Sequence, residues 1–291
     1  MGTVSEKAYA KINLFLDVSA RRADGFHDIK TVMHSVSLAD EVELEIEALD
    51  DRQVELITDS EDIPTDASNL AVRAALSYLE KSGVSARVRI NLKKNIPVAA
   101  GLAGGSSDAA ATLRAMNSIL GKFSDTELLS LAASLGSDVP YCLVGGTALC
   151  EGRGEIITPI SGVKPLYLVI AIGDARVSTP RAYGRLDEIF SDFDGSRPTG
   201  GDRYFDALIS AIGSGKIDNL VLFNVFEEAV IPTAPEISSI KSKLLKYGAL
   251  GALMSGSGPS VFGIFDTEND AKSACDSLKS SGFSAFYAES V

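Results

Sequence analysis

The sequence predicts an α+β protein of two domains, on three observations. Strand patterns of period two recur among helix patterns of period near 3.6 from one end of the chain to the other. The length, 291 residues, suffices for two separate cores. A loop-like stretch from Pro159 to Pro165 then sets the boundary, dividing residues 1–160 from 161–291.

Composition narrows the function classes. With 45% hydrophobic and 23% charged residues the chain is ordinary globular material. Its net charge of −12 argues against a broad grip on nucleic acid or on an anionic membrane, so an anionic ligand must be held by local donors. Cys142, Cys150 and Cys275 lie in apolar stretches without metal-ligand spacing and are expected to be reduced. The first residues lack the apolar core of a signal peptide and no apolar run is long enough to span a bilayer, which predicts a soluble, cytoplasmic protein.

Residues 8–18 alternate as a strand, with Ala8, Ala10, Ile12, Leu14, Leu16 and Val18 on one face. Tyr9, Lys11, Asn13, Phe15 and Asp17 form the other, and by itself the segment reads as a strand with that face solvated. Asp24-Gly25 supplies a turn, and residues 27–36 return as a hairpin partner with Phe26 and His27 at its start. A lone histidine there is ordinarily a surface or hydrogen-bonded residue. Residues 42–47 and 54–58 read as two further strands. Ser68-Asn69 precedes a helix over 70–81 that closes at Gly83, and residues 87–93 alternate as a strand.

Between that strand and a helical pattern through Ala110, Leu113, Met116 and Leu120 lies a loop of small residues, Ile96 to Asp108. Such a loop directs several backbone N–H groups and the positive end of a helix dipole at one point, which suits a phosphate. Gly104 and Gly105 are expected to supply unusual backbone angles, and Ser106 or Ser107 to cap the helix or reach a phosphate or its metal ion. The spacing excludes a P-loop, since no Lys-Ser/Thr pair follows Gly105, and it excludes the G-x-G-x-x-G dinucleotide fingerprint. A tight turn that binds nothing is the plain alternative.

Ser124 to Glu127 forms a capping box for a helix ending at Gly136. Asp138, two residues before Pro140, reads either as a helix N-cap or as a catalytic carboxylate. Residues 145–155 look like a strand and turn, and Leu166 to Ile172 like a buried strand. Residues 177–183 lead into a helix, and residues 193–201 are polar and glycine-rich, as in a surface loop. Helices are expected over 219–229, 238–246 and 269–280, and strands over 261–265 and 283–287, giving an α+β sandwich.

The central loop resembles the ATP-binding motif of the GHMP kinases, P-x-x-x-G-L-[GS]-[GS]-S-[AS], reading here from Pro97 to Ser107 with Ala103 where glycine or serine is common. Ala10-Lys11-Ile12-Asn13-Leu14 resembles the family's first motif, and Met254-Ser255-Gly256-Ser257-Gly258 its third glycine motif. The resemblance runs in the family's order over nearly the whole chain. It implies the two-domain GHMP kinase fold: an N-terminal α/β nucleotide-binding domain, a C-terminal ferredoxin-like α+β sandwich and an active site in the cleft between them.

Four further stretches, residues 10–16, 22–27, 136–140 and 178–180, resemble the branch of the family that phosphorylates a cytidine-diphosphate sugar alcohol. That resemblance implies transfer of the ATP γ-phosphate, with Mg²⁺, to the 2-hydroxyl of a methylerythritol unit in non-mevalonate isoprenoid synthesis. It assigns catalysis to Lys11 and Asp138. ATP would be held by Pro97, Val98, Ala99, Ala100, Gly101, Leu102, Ala103, Gly104, Gly105, Ser106, Ser107 and Asp108. Substrate would be held by Asn13, Phe26, His27, Tyr183, Gly256, Ser257 and Gly258. His27 would read the cytosine, between the rings of Phe26 and Tyr183, with Phe26 replacing a usual tyrosine. The metal ligands stay open, Ser106 or Ser107 being candidates, and Asp108 suits either the helix dipole or a water-bridged metal. Val225 replaces a common aspartate, and Asn224 to Glu227 is left outside the site. The expected partners are small molecules alone, with no nucleic acid and no membrane, for a monomer or homodimer. Another GHMP kinase, of mevalonate or homoserine type, and a non-catalytic nucleotide sensor on the same fold are the alternatives.

Overall fold

The computed structural model describes residues 2–190, 200–214 and 222–291. Strands β1 (Thr3–Arg21) and β2 (His27–Ala48) form the opening pair. The turn between them closes by an Arg22 N–H bond to Phe26 O at 2.7 Å, with Gly25 at φ 86°. There follow β3 (Gln53–Thr58), α1 (Leu70–Ser82), β4 (Ala86–Lys93), α2 (Gly104–Leu120), α3 (Asp125–Leu135) and α4 (Val139–Val144). Next come β5 (Thr147–Gly152), β6 (Ile156–Pro159), β7 (Tyr167–Ile172), α5 (Thr179–Ile189) and α6 (Gly201–Ser214). The chain closes with β8 (Phe223–Asn224), α7 (Phe226–Val230), α8 (Glu236–Lys246), β9 (Gly251–Met254), β10 (Val261–Phe265), α9 (Glu268–Ser280) and β11 (Ser284–Glu289).

These elements form two compact units that interleave along the chain, where the sequence suggests a single cut near residue 160. The first holds residues 1–10, 38–98 and 103–145; the second holds 11–37, 99–102 and 146–291. In the first, β3 runs parallel to β4, which pairs antiparallel with the second half of β2, from Glu41↔Lys93 to Ala48↔Ala86. Val42, Leu44, Ile46, Val88, Ile90 and Leu92 line the inner face and pack with Tyr78, Leu79, Leu113 and Met116 of α1 and α2. Helix ends follow local chemistry. Asn69 Oδ1 accepts from Ala71 N–H, Gly83 and Gly121 end α1 and α2 in the left-handed region, and Ser124 with Glu127 makes the expected capping box.

In the second unit a sheet of order β11-β7-β10-β9 is antiparallel throughout. Its core joins Val169, Ala171, Val261 and Phe265 to Ile237, Ile240, Ala274 and Leu278 of α8 and α9. The first half of β2 pairs with β5, β5 with β6, and Phe15 and Leu16 of β1 run parallel to Phe223 and Asn224 of β8. The α+β class expected from the sequence is the class observed.

Four local expectations are corrected. Residues 27–36 and 42–47 belong to one strand, because buried Asp40 at its middle is satisfied by N–H groups of Asn95 and Ile96, at 2.5 and 2.7 Å. Lys11, Asn13 and Phe15 do not face solvent: the Phe15 ring packs on Phe205 of α6 at 5.5 Å and on Phe223 of β8 at 5.7 Å. Helix α6 begins at Gly201, the last residue of the expected loop, and buries Leu208, Ala211 and Ile212. The helix expected over 219–229 is instead strand β8 and the short α7 from residue 223 onward. Residues 193–199 of the expected loop and 219–221 of that helix lie outside the described residues.

Candidate active site

The loop of small residues before α2 turns on three left-handed positions, Ala99 (φ 55°), Gly101 (77°) and Ala103 (58°). Gly104 and Gly105 are ordinary helical residues in the first turn of α2, which corrects the expectation that they supply the unusual angles. Gly101 is where a side chain is excluded. A Cβ there would lie 2.3 Å from Ser255 O and 3.0 Å from Gly258 O. Bonds from Ser255 Oγ to Gly101 O (3.1 Å) and from Ser260 Oγ to Ala100 O (2.6 Å) hold this backbone against the third glycine motif.

Ala103 is the N-cap of α2 and makes no side-chain cap, so the expectation that a serine caps this helix is overturned. The first amides of a helix have no internal acceptor, and here none is taken by a cap, which leaves them suited to an anion. Pro97 is half-buried, Val98 and Ala99 are exposed, and Ala100 and Leu102 are buried. The two serines separate: Ser107 is buried and gives its hydroxyl proton to Tyr9 O at 2.6 Å, whereas Ser106 is partly exposed. Ser106 is therefore the hydroxyl that suits a phosphate or a magnesium ion.

Asp108 turns away from that role. Buried, it meets Lys94 Nζ through Oδ2 at 2.7 Å, and Lys94 also bonds Asp40. Desolvation pushes the Asp108 carboxyl up to about 7 against the pull of Lys94, and the Asp40 charge adds to the rise. Burial opposes the Lys94 charge, but the two carboxylates outweigh it and hold that ammonium above its ordinary value. The cluster ties the start of α2 to the end of β4 and the middle of β2.

On β1, Lys11 is buried and its ammonium donates to Asn13 Oδ1 at 2.8 Å. The same oxygen accepts from Gly256 N–H at 2.9 Å, so first and third motifs meet at one atom. Gly256 stands at φ 56°, and a Cβ there would lie 3.4 Å from Lys11 Nζ. Ser257 Oγ bonds Thr179 Oγ1 at 2.8 Å, and Gly258, at φ 86°, leaves no room for a Cβ beside Met254 Sδ.

The segment left outside the site braces this loop. Asn224 Nδ2 donates to Met254 O (2.7 Å) and Gly256 O (2.8 Å), and Glu227, paired with Lys241, accepts from Met254 N–H at 2.9 Å. An asparagine within a two-residue strand has no local pattern that announces such a role.

Among the aromatic residues, the structure stacks His27 on Tyr183 at 4.9 Å and 21°, while Tyr183 meets Phe226 edge-on at 4.8 Å. His27 Nε2 bonds Asp187 Oδ1 at 2.8 Å. Asp187 was missed in the sequence, although it lies four residues after Tyr183 on α5 and so shares its face. Phe26 is half exposed, with the Arg153 guanidinium 5.1 Å from its ring centre.

Asp138 occupies the N-cap position of α4, ahead of Pro140, but its side chain caps none of that helix's amides. The position is a cap's; the chemistry is not. Asp138 lies in the first unit and Lys11 in the second. Among the described residues no three His, Cys, Asp or Glu side chains are grouped to hold a metal ion, and no helix is long and apolar enough to cross a membrane.

Known proteins resemble this chain along its length. The family models for the GHMP kinases N terminal domain and the GHMP kinases C terminal match residues 69–146 and 208–284. A 4-diphosphocytidyl-2-C-methyl-D-erythritol kinase of Caldicellulosiruptor saccharolyticus is 45% identical over 94% of this chain and 92% of its own. Its namesake from Alkaliphilus metalliredigens is 43% identical over 96% of this chain and 93% of its own. A crystal structure of 4-(cytidine 5'-diphospho)-2C-methyl-D-erythritol kinase superposes with a TM-score of 0.81 at 34% identity, covering 98% of each chain. The chain belongs to the GHMP kinases, with their two-domain fold and ATP as phosphoryl donor, and within them to the 4-diphosphocytidyl-2-C-methyl-D-erythritol kinase family.

Proposed function

We propose that this kinase transfers the γ-phosphoryl group of ATP to the 2-hydroxyl of 4-diphosphocytidyl-2-C-methyl-D-erythritol, giving the 2-phosphate and ADP in the cytoplasm. The observation that carries the substrate assignment is the near-full-length identity to kinases of that name. The geometry supports it with an uncapped helix start at Gly104 and with a His27–Tyr183 stack backed by Asp187.

Phosphoryl transfer passes through a loose transition state, so positioning and charge stabilisation do most of the catalytic work. The amides opening α2 receive the phosphates. Lys11, on its Asn13 seat, supplies a fixed positive charge to the transferring group. Asp138 orients the acceptor hydroxyl and takes its proton. A magnesium ion needs oxygen ligands and keeps several waters, and the partly exposed hydroxyl of Ser106 would suit it as one such ligand. When bound, it neutralises charge on the phosphate oxygens.

The test measures ADP release with the cytidine substrate, mevalonate and homoserine in turn. Turnover with the cytidine substrate alone is the expected result. Turnover with mevalonate or homoserine would replace the substrate assignment, and ATP binding without turnover on any of the three would make the protein a sensor.

A further inference from the structure

We propose that Thr31, which lies outside every motif, is a positioning residue for Lys11. This rests on the kinase reading above and deepens it. The argument is one of donor and acceptor polarity. The Lys11 ammonium and the Gly256 N–H carry no lone pair, so both must donate to Asn13, and the atom they share must be its oxygen. That fixes the amide orientation without reference to how oxygen and nitrogen were assigned. Asn13 Nδ2 then points at Thr31 Oγ1, 2.8 Å away, and must donate to it. Thr31 Oγ1 in turn gives its proton to Phe15 O at 2.6 Å. No bond in this series can run backwards.

Thr31 is fully buried and Asn13 nearly so, and no hydrogen bond to bulk solvent can replace a lost one there. The hydroxyl therefore makes one rotamer of Asn13 satisfied and the flipped rotamer doubly unfavourable. A flipped amide would set its NH₂ against two donors and its oxygen against a hydroxyl whose proton is already committed. Thr31 sits on β2 inside its pairing with β5, opposite Cys150, so its position is rigid. The seat that holds the Lys11 ammonium is thus set by a residue that touches no substrate.

The experiment compares Thr31→Val, which keeps the shape and removes the hydroxyl, with Thr31→Ser, which keeps the hydroxyl. In Thr31→Val kcat is expected to fall about ten- to a hundredfold, the usual consequence of one unpaired buried group, with KM for ATP and for the cytidine substrate within about twofold. Thr31→Ser should retain near-normal kcat. In an Asn13→Ala background Thr31→Val should change kcat no further, since both act through one atom. If Thr31→Val does not fold, Thr31→Ala takes its place with the same readouts. A merely structural threonine would lower the melting temperature and leave kcat per folded molecule unchanged, and that result overturns the proposal. So does loss of kcat in Thr31→Ser, or a full Thr31→Val effect on top of Asn13→Ala. Lys11→Ala separates the two readings. Retained turnover there refutes the role given to Lys11, whereas lost turnover in Lys11→Ala with normal Thr31→Val refutes this inference alone.

Discussion

Replacing Gly101 with alanine tests whether the phosphate loop is shaped by close backbone approach. Two costs add. The φ of 77° puts an alanine in the left-handed region, about 1–2 kcal/mol above its preferred conformations. The new Cβ would lie 2.3 Å from Ser255 O, 3.0 Å from Gly258 O and 3.3 Å from Gly258 N, all backbone atoms, so the third glycine motif must move. Overpacking of that kind costs a further ~1–3 kcal/mol. The sum, about 2–5 kcal/mol, is a large part of an ordinary domain's stability. At about 2–4 °C per kcal/mol the melting temperature should drop by roughly 5–15 °C. The same shift displaces Gly256, whose N–H shares Asn13 Oδ1 with Lys11, so activity should fall beyond what stability explains. A displacement of 1 Å in a catalytic array costs on the order of 10²-fold. Scanning calorimetry and kcat/KM at a temperature where the variant is folded provide the two readouts. Gly105→Ala is the control: its Cβ would meet only Leu70 Cδ1, at 3.8 Å, inside a helix. It should be neutral or stabilise by ~0.5–1 kcal/mol. Equal melting temperatures and rates for Gly101→Ala and the parent protein would refute the reasoning.

Asp138→Asn should lower kcat by roughly 10²–10⁴ while leaving ATP binding intact, because asparagine keeps the size of the side chain and removes its charge and basicity; near-normal turnover would leave the chain without an identified base. Lys94→Met should destabilise by about 3–5 kcal/mol, since it strands the buried carboxylates of Asp40 and Asp108, and a urea midpoint equal to the parent's would contradict that. The part of the stability carried by His34 should fall on acidification, because burial depresses it to about 4, where it bonds Thr147 and Ser290. A folded-state value below the ordinary 6.5 gives stability that is present above 6.5 and lost as pH falls towards 4, amounting to about 2–3 kcal/mol at pH 4.5. Asp108, raised to about 7, acts with the opposite sign, favouring the folded state at low pH and losing that contribution as pH rises to 7. Urea titrations of the parent and His34→Gln across pH 4.5–7.5 should therefore differ in slope below pH 6.5, and parallel curves would exclude the histidine.

What the sequence determined alone is what short range decides. The Asn69, Ser124 and Gly83 ends of helices, the Asp24-Gly25 turn and the alternation in residues 86–93 follow from side chains reaching their own neighbours, and all appear as expected. The motifs around Lys11, Gly101 and Gly256 were legible through their resemblance to those of the GHMP kinases, which run in the same order. What the tertiary structure decided is which of those residues meet. Lys11, Asn13 and Phe15 read as a wet face until α6 and β8 cover Phe15 and the third glycine motif reaches Asn13. Ser106 and Ser107 were equivalent until Tyr9 O claimed one hydroxyl. Asp108 was a loop carboxylate until it and Asp40, far from it in sequence, closed around the Lys94 ammonium. Thr31 and Asn224 carry no pattern at all, for a buried hydrogen bond depends on a partner that the fold brings from elsewhere in the chain.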